Sequence, residues 1–177
     1  MKPKKLFITI VILLNICISC KKRDMNVLPA ETQDESFGCM LNNKVWVNEG
    51  ALQFGVAGLQ VGISKNGFTI VAVKSNNTLR QQINFNISQP LKVGLYYFNS
   101  LKSSASFIDI KQRCLFTTDS TLNWGTLEIT KYDTVQKKVM GRFSFKAPSG
   151  IYGGVDTIKR NKDSIITITE GRFNIMY

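Results

Sequence analysis

Histidine is absent from the 177-residue chain, and its absence excludes much of the chemistry that a protein of this size could perform. Without an imidazole there is no Ser-His-Asp or Cys-His nucleophile, no histidine general base and no histidine ligand for zinc. Catalysis by paired carboxylates would need two of the twelve acidic residues in one cleft. Turns or solvated strand faces explain these acids instead, as for Asp119, Asp133 and Glu170. We therefore predict no catalytic residue and no cofactor.

Two cysteines in the body of the chain could form a disulfide. Cys39 and Cys114 are an even pair, and an oxidising compartment favours a bond between them. The alternative is two separately buried thiols that behave as small hydrophobic side chains. Two thiols without histidine make a poor metal site, and no Asp-x-Asp-x-Asp run indicates calcium. We predict no metal.

Aromatic and amide side chains supply the candidate ligand-binding residues. The alternation of one predicted strand places Trp124, Thr126 and Tyr132 together on the face opposite Leu127 and Ile129. A second strand presents an outward row of amides, Gln82, Asn84 and Asn86. Such residues can hold sugar rings by stacking and hydrogen bonding. The alternatives are that Trp124 packs under a loop and that the amides simply face water; Trp46 is predicted to be core.

The first twenty-odd residues carry the chemistry of export. Lys2, Lys4 and Lys5 precede an apolar run from Leu6 to Ile18, and Ser19 then precedes Cys20, as in a secretory signal peptide. A cut before a cysteine resembles the lipobox of bacterial lipoproteins, in which that cysteine is acylated and becomes the new N-terminus. Cys17 competes with Cys20, but Ile16 before it is large and β-branched, whereas the cleavage site requires a small residue.

We therefore predict a signal peptide over 1–19 and lipidation at Cys20. The alternatives are a plain secreted protein and a single transmembrane helix, but the apolar run of about thirteen residues is short of the ~20 that a bilayer core requires. Acyl chains on the cysteine and on its amino group would together give stable anchoring.

The predicted mature chain is basic and has the length of a single domain. Removal of residues 1–19 leaves 158 residues, twenty basic and twelve acidic, with a net charge of +8. This length fits one domain. The charge favours anionic surfaces such as lipid headgroups, although a solvated basic surface explains it more readily. No basic run is interleaved with stacking aromatics, so we predict no nucleic-acid partner. Residues 20–36 show no periodicity and are predicted to be a lipidated, flexible tether.

From Phe37 onward the apolar residues recur with period two, which is typical of β-strands. Asn66-Gly67 between two such runs predicts a hairpin with a type I′ turn. A phase change at Glu170-Gly171 predicts a β-bulge in which the glycine takes a positive φ. The fold class predicted for residues 37–177 is all-β, an antiparallel β-sandwich of about eight or nine strands.

Several short motifs occur in order along this domain. They are Phe37-Gly38-Cys39, Asn42-Asn43-Lys44-Val45-Trp46, Thr117-Thr118-Asp119, Gly125-Thr126-Leu127-Glu128-Ile129-Thr130-Lys131, Gly141-Arg142-Phe143-Ser144-Phe145 and Ile168-Thr169-Glu170-Gly171-Arg172-Phe173. In these motifs the chain resembles small Bacteroidota-type lipoproteins with a single uncharacterised all-β domain. The resemblance implies a fold and no assigned reaction.

The sequence thus predicts a lipid-anchored protein of the cell envelope, held at the outer membrane. Its domain would be a non-catalytic binding or structural module whose partner is a glycan, a peptide or an envelope protein. The alternative is a carboxylate-dependent hydrolase acting on envelope glycans. Two acids within ~5–9 Å of each other in a cleft would favour the hydrolase, and an aromatic and amide strip without them would favour binding.

Overall fold

A computed structural model describes residues 27–30, 34–49, 58–76, 79–98, 102–118, 124–150 and 165–177. These residues form eleven strands. In chain order they are β1 (Ser36–Leu41), β2 (Lys44–Val47), β3 (Leu59–Ile63), β4 (Phe68–Ser75), β5 (Arg80–Ile87), β6 (Gly94–Tyr97), β7 (Ser103–Asp109), β8 (Cys114–Thr117), β9 (Gly125–Asp133), β10 (Lys138–Gly150) and β11 (Ile165–Met176). The described residues contain no helix long and apolar enough to cross a membrane.

Antiparallel pairing joins the eleven strands of the described residues into one sheet. One half has the order β2-β1-β11-β10-β9-β6, and the other half has the order β8-β7-β5-β4-β3. The long strand β10 belongs to both, because most of its length pairs with β9 and β11 while Ser149 and Gly150 pair with β8. The predicted all-β, antiparallel class is confirmed, with eleven strands rather than eight or nine.

The two halves of the sheet face each other across an aromatic core. Phe85 of β5 lies 4.8 Å from Phe143 of β10 and 6.0 Å from Phe37 of β1, measured between ring centroids. The rings of Phe98 and Phe145 also lie beside Phe85. This arrangement follows from the period-two pattern, since alternate residues of a strand point to one side of the sheet. Trp46 is also buried, as predicted.

The hairpin at Asn66-Gly67 forms, but its predicted turn type is wrong. Neither residue has the positive φ that a type I′ turn requires. The connection between β3 and β4 is a four-residue loop in which the Ser64 amide donates to the Gly67 carbonyl at 2.8 Å. Glycine is needed here for space, because a Cβ atom at position 67 would lie 2.4 Å from the Ile87 carbonyl oxygen.

The predicted bulge in β11 is confirmed, with the roles of its two residues reversed. Phe143 and Phe145 of β10 pair with Gly171 and Ile168, so β11 carries one extra residue. Glu170 has the positive φ, 52°. Gly171 is required by the Phe143 ring, whose carbons would lie 2.4 Å from a Cβ atom at that position. The bulge therefore places Thr169 and Glu170 on the same side of the sheet as Arg172.

The end of the predicted tether lies against the domain. Strand β1 begins at Ser36, which is buried, and Pro29 is buried against Gly38. Asp34 forms an ion pair with Lys138 at 2.5 Å. A hydrogen bond from Lys138 and its positive charge lower the pKa of the Asp34 carboxyl. The predicted signal peptide over 1–19 and Cys20 lie outside the described residues.

Candidate ligand-binding face

The ligand-binding residues predicted from the sequence lie on two opposite outer faces. Gln82, Asn84 and Asn86 alternate with buried residues of β5, whose inward side chains meet those of β10. Thr126 lies on the outward side of β9, which pairs with β10. The amides of β5 and the outward residues of β9 therefore point away from each other, and the structure does not bring them into one site.

The β5 amides are engaged with their neighbours. The Gln82 side chain donates to the Asn84 Oδ1 atom, and Asn84 Nδ2 donates to the Ser106 hydroxyl on β7 at 3.2 Å. Asn86 is exposed and lines a separate depression of about 530 Å³ beside the β3–β4 hairpin. These contacts fit the alternative reading of the amides as a hydrated sheet surface.

Tyr132 was predicted to share a face with Thr126, and this prediction is wrong. The register of β9 shifts between Ile129 and Lys131, so Thr130 is an extra residue and the alternation changes phase there. Tyr132 consequently pairs with the buried Val139 and packs against the core. Its ring lies 6.1 Å from that of Tyr177, at the end of the core.

Trp124 is half-buried immediately before β9. Its amide donates to the Phe98 carbonyl at 3.2 Å, and its own carbonyl accepts from the Lys146 amide at 2.7 Å. The backbone is thus held between the end of β6 and strand β10. Within the part of the chain that the structure describes, the indole Nε1 is buried without a hydrogen-bond partner. An unsatisfied buried donor costs about 1–3 kcal/mol. Hydrogen bonding by the indole therefore does not explain why the Trp124 ring occupies this position.

The outward residues around Thr126 form two rows that cross neighbouring strands. The first row carries hydroxyl groups from β6, β9 and β10: Tyr97, Thr126 and Ser144. The second row contains Leu95, Glu128, Arg142 and Arg172. Neighbouring members of a row are separated by the strand spacing of ~4.8 Å. The bulge in β11 adds Thr169 and Glu170 beside these rows.

Two adjoining depressions lie over these rows, with volumes of about 500 Å³ and about 390 Å³. Thr126 and Ser144 line both. The first depression is charged, and the second runs to Trp124. Together they form what we call the β9–β11 groove. Its remaining outward side chains are Leu95, Glu128, Arg142, Glu170 and Arg172 in the first depression and Lys146, Thr167 and Thr169 in the second.

Sequence reasoning identified Trp124 and Thr126 in this groove but missed its charged residues. Glu128, Arg142 and Glu170 occupy outward positions in strands that were recognised as alternating. The alternation along each strand therefore indicated that these charged residues face outward. What brings them together is the pairing of β9, β10 and β11 and the bulge at Glu170, which no local pattern specifies.

The structure contains separate thiols at the two cysteines for which a disulfide was considered. Cys39 and Cys114 are both free, Cys39 fully buried and Cys114 half-buried. Burial raises the pKa of the Cys39 thiol to about 12, opposed by the charge of Lys74. Across the described residues, no group of three or more Cys, Asp or Glu side chains is placed to hold a metal ion.

Burial of Cys39 predicts a loss of stability at alkaline pH. In the unfolded chain this thiol ionises above its ordinary pKa of 9.0, whereas the folded protein keeps it protonated up to about 12. The unfolded state therefore binds fewer protons in this interval, and the free energy of unfolding must fall as the pH rises through it. Urea unfolding of the wild type and of Cys39→Ala, below pH 9.0 and between 9.0 and about 12, measures the effect. We expect a steeper decline in the wild type, and parallel declines would contradict the assignment.

Comparison with known protein families assigns the chain to one of them. A family model described as a domain of unknown function, DUF6252, matches residues 50–175. The match contains strands β3 to β10 and nearly all of β11, and hence every residue that lines the β9–β11 groove. No curated protein and no solved structure matches the sequence. The chain therefore belongs to the DUF6252 family, whose domain has no assigned function.

Proposed function

We propose that this protein is a lipoprotein of the Bacteroidota type, anchored through Cys20 at the outer membrane, whose domain binds a ligand without catalysis. The anchor is supported by the basic start, the short apolar run and the small Ser19 before Cys20. The binding role rests on one observation, the β9–β11 groove, in which hydroxyl, charged and aromatic side chains meet on one sheet face.

The bulge in β11 strengthens the case for a binding face. A non-glycine residue with positive φ is energetically costly, by roughly 1–3 kcal/mol, and such residues cluster at ligand sites. Glu170 is one of six such residues in the part of the chain that the structure describes, and of the six it is Glu170 that lines the groove. A regular strand would instead alternate and place fewer polar side chains on this face. The bulge therefore adds the Glu170 side chain to this face.

The contacts of the N-terminal segment determine how near to the membrane the domain would be held. Because Pro29 and Asp34 contact the domain, the part of the predicted tether that could separate Cys20 from the domain ends before Pro29. A flexible chain from Cys20 to that contact would span roughly 15–18 Å. Asp34 reaches Lys138 at the start of β10, one of the strands of the groove. The domain would thus be held close to the headgroups, where a ligand belonging to the envelope is accessible.

Binding to immobilised glycans and peptides by the detergent-extracted full chain tests the ligand face. Ser144→Tyr would fill the centre of the groove, since Ser144 lines both depressions. Ser106→Tyr, on the outer face of β7 beside Asn84, is the matched control. We expect Ser144→Tyr to abolish binding and Ser106→Tyr to retain it. Equal binding by both variants, or no ligand for the wild type, would overturn the proposal, and the second result would favour a structural role.

One observation favours the hydrolase as a second candidate. Glu128 and Glu170 both line the charged depression, from strands on either side of β10. The products formed from any bound glycan therefore need to be followed by chromatography, with Glu128→Gln and Glu170→Gln as variants. Shortened products that appear with the wild type and disappear with both variants would replace the non-catalytic role. An unchanged glycan supports it.

A further inference from the structure

The edge of the sheet at β6 is apolar and open among the described strands. Strand β6 pairs with β9 and with no other strand that the structure describes. Its outward side chains are Leu95, 51% exposed, and Tyr97, 47% exposed, and Val93 just before the strand is 62% exposed. The run between Lys92 and Lys102 carries no charge. Exposed strand edges are usually protected by charged side chains, and this edge has none.

The backbone of β6 is in phase to receive another strand. The Phe98 amide donates to the Gly125 carbonyl at 2.9 Å, and the Phe98 carbonyl accepts from the Trp124 amide at 3.2 Å. The backbone groups of Phe98 therefore point towards β9. Because these groups alternate in direction along an antiparallel strand, those of Leu95 and Tyr97 point to the open edge. The edge thus presents amide donors and carbonyl acceptors to a further antiparallel strand.

The other outer strands of the described sheet, β2 and β3, are different. Strand β2 begins at Lys44, whose exposed charge protects it. The outward residues of β3 are Gln60 and Gly62, because its apolar side chains pack against the core: Leu59, Val61 and Ile63. Among these three strands, β6 is therefore the one with an outward apolar row at its edge.

We propose that the β6 edge joins two copies of this chain in an antiparallel, twofold dimer. A twofold axis at Tyr96 places Leu95 of each copy directly opposite Tyr97 of the other, so an aliphatic side chain meets an aromatic one twice. Apolar cross-strand pairs of this kind stabilise a sheet. The uncharged run also lets two basic chains meet without placing like charges opposite each other. The inference does not depend on a ligand for the groove.

The symmetry of this pairing fits a second copy. The twofold axis of an antiparallel strand pair is perpendicular to the sheet, so the outer faces of both copies lie on the same side. The N-terminal segment lies on that face, where Pro29 contacts Gly38. Two chains anchored through Cys20, as proposed above, could therefore share one membrane. Pairing of β6 with itself also closes after two copies, whereas pairing with a different edge would produce an open filament.

Two other occupants of the edge are less suitable. A membrane would leave the open backbone groups of Leu95 and Tyr97 without partners, because hydrocarbon supplies none. The exposed Glu128 carboxylate, beside Leu95 on β9, also opposes anionic headgroups. A strand from a different protein could use the same backbone groups, but it would not bring the matching Leu95 and Tyr97 pairs that a second copy supplies.

The size of the contact determines how strong the dimer is. Strand β6 has four residues, so its pairing with a second copy buries less than the ~1,200 Å² of a standard interface. We therefore expect a weak, reversible dimer whose population rises with protein concentration. Confinement of the chains to one membrane would raise their effective concentration and favour it.

Sedimentation velocity of the detergent-extracted full chain, at a series of concentrations, tests the dimer. We expect a monomer–dimer equilibrium. Leu95→Lys/Tyr97→Lys and Leu95→Glu/Tyr97→Glu should each weaken it more than about tenfold, because like charges become opposite each other. An equimolar mixture of the two variants should dimerise again, because each lysine then faces a glutamate. Val135→Lys, in the turn between β9 and β10 where Val135 is 91% exposed, is the matched control and should leave the equilibrium unchanged. Thermal unfolding verifies that the variants remain folded.

Each other outcome contradicts a particular part of the proposal. A monomer at every concentration in detergent, without dimers after chemical cross-linking in the membrane, would overturn the dimer. Undiminished association of both charged variants would overturn the assignment of the contact to β6. A mixture of the two variants that stays monomeric would overturn the antiparallel register. Growth beyond two copies would overturn the closed symmetry. A different protein that co-purifies with the wild type and is lost from both charged variants would replace the second copy as the occupant.

Discussion

Replacing Phe85 with alanine is expected to lower the free energy of unfolding by about 3–5 kcal/mol. Phe85 is fully buried and contacts Phe37, Phe98, Phe143 and Phe145, so it joins both halves of the sheet. Removing its ring deletes apolar contacts on every side and leaves a cavity that the rigid strands around it can only partly close. Urea unfolding followed by circular dichroism measures the change.

Phe116→Ala is the matched control. Phe116 of β8 is half-buried, and its ring lies 6.2 Å from that of Phe107. A side chain at the margin of the core should cost nearer to 1 kcal/mol, the average for single substitutions. If the two variants lost the same stability, Phe85 would not join the halves of the sheet as described.

Replacing Cys20 with alanine is expected to abolish palmitate incorporation and to remove the protein from the outer-membrane fraction. The thiol of this residue is the proposed acylation site, and alanine has no nucleophile for the acyl transfer. Stable anchoring needs more than one acyl chain, so the loss of this site should release the mature domain from the outer membrane entirely. Metabolic labelling with palmitate, combined with membrane fractionation, measures both effects.

Cys17→Ala separates the two candidate cysteines. The same substitution three residues earlier should leave labelling at the wild-type level, because Ile16 is unsuited to precede the cleavage site while Ser19 is suited to it. Labelling that persists in Cys20→Ala, or that disappears in Cys17→Ala, would contradict the assignment of the anchor.

The fold class could be predicted because side-chain burial repeats every two residues. Ile83, Phe85 and Ile87 are buried, and the residues between them face outward, as the alternation indicated. The Asn66-Gly67 hairpin and the bulge at Glu170 were found for the same reason, since both interrupt the pattern. The turn type of the hairpin and the residue with positive φ in the bulge differ from the prediction. Gly67 and Gly171 are needed because a Cβ atom at either position would clash with Ile87 or Phe143, which lie elsewhere in the sequence.

The candidate site was harder to predict, because it depends on strand neighbours. Arg142 and Arg172 are thirty residues apart and become adjacent only when β10 pairs with β11. Tyr132 was assigned to the wrong face because one extra residue, Thr130, changes the phase of β9 without a glycine or proline to reveal it. A period-two pattern thus predicts which residues face outward and does not predict which of them meet.

The most direct test of the proposed lipid anchor is the intact mass of the protein extracted from membranes. We predict a chain that begins at Cys20 and carries the added mass of its acyl groups. The mass of an unacylated chain, or of a chain that retains residues 1–19, would contradict it.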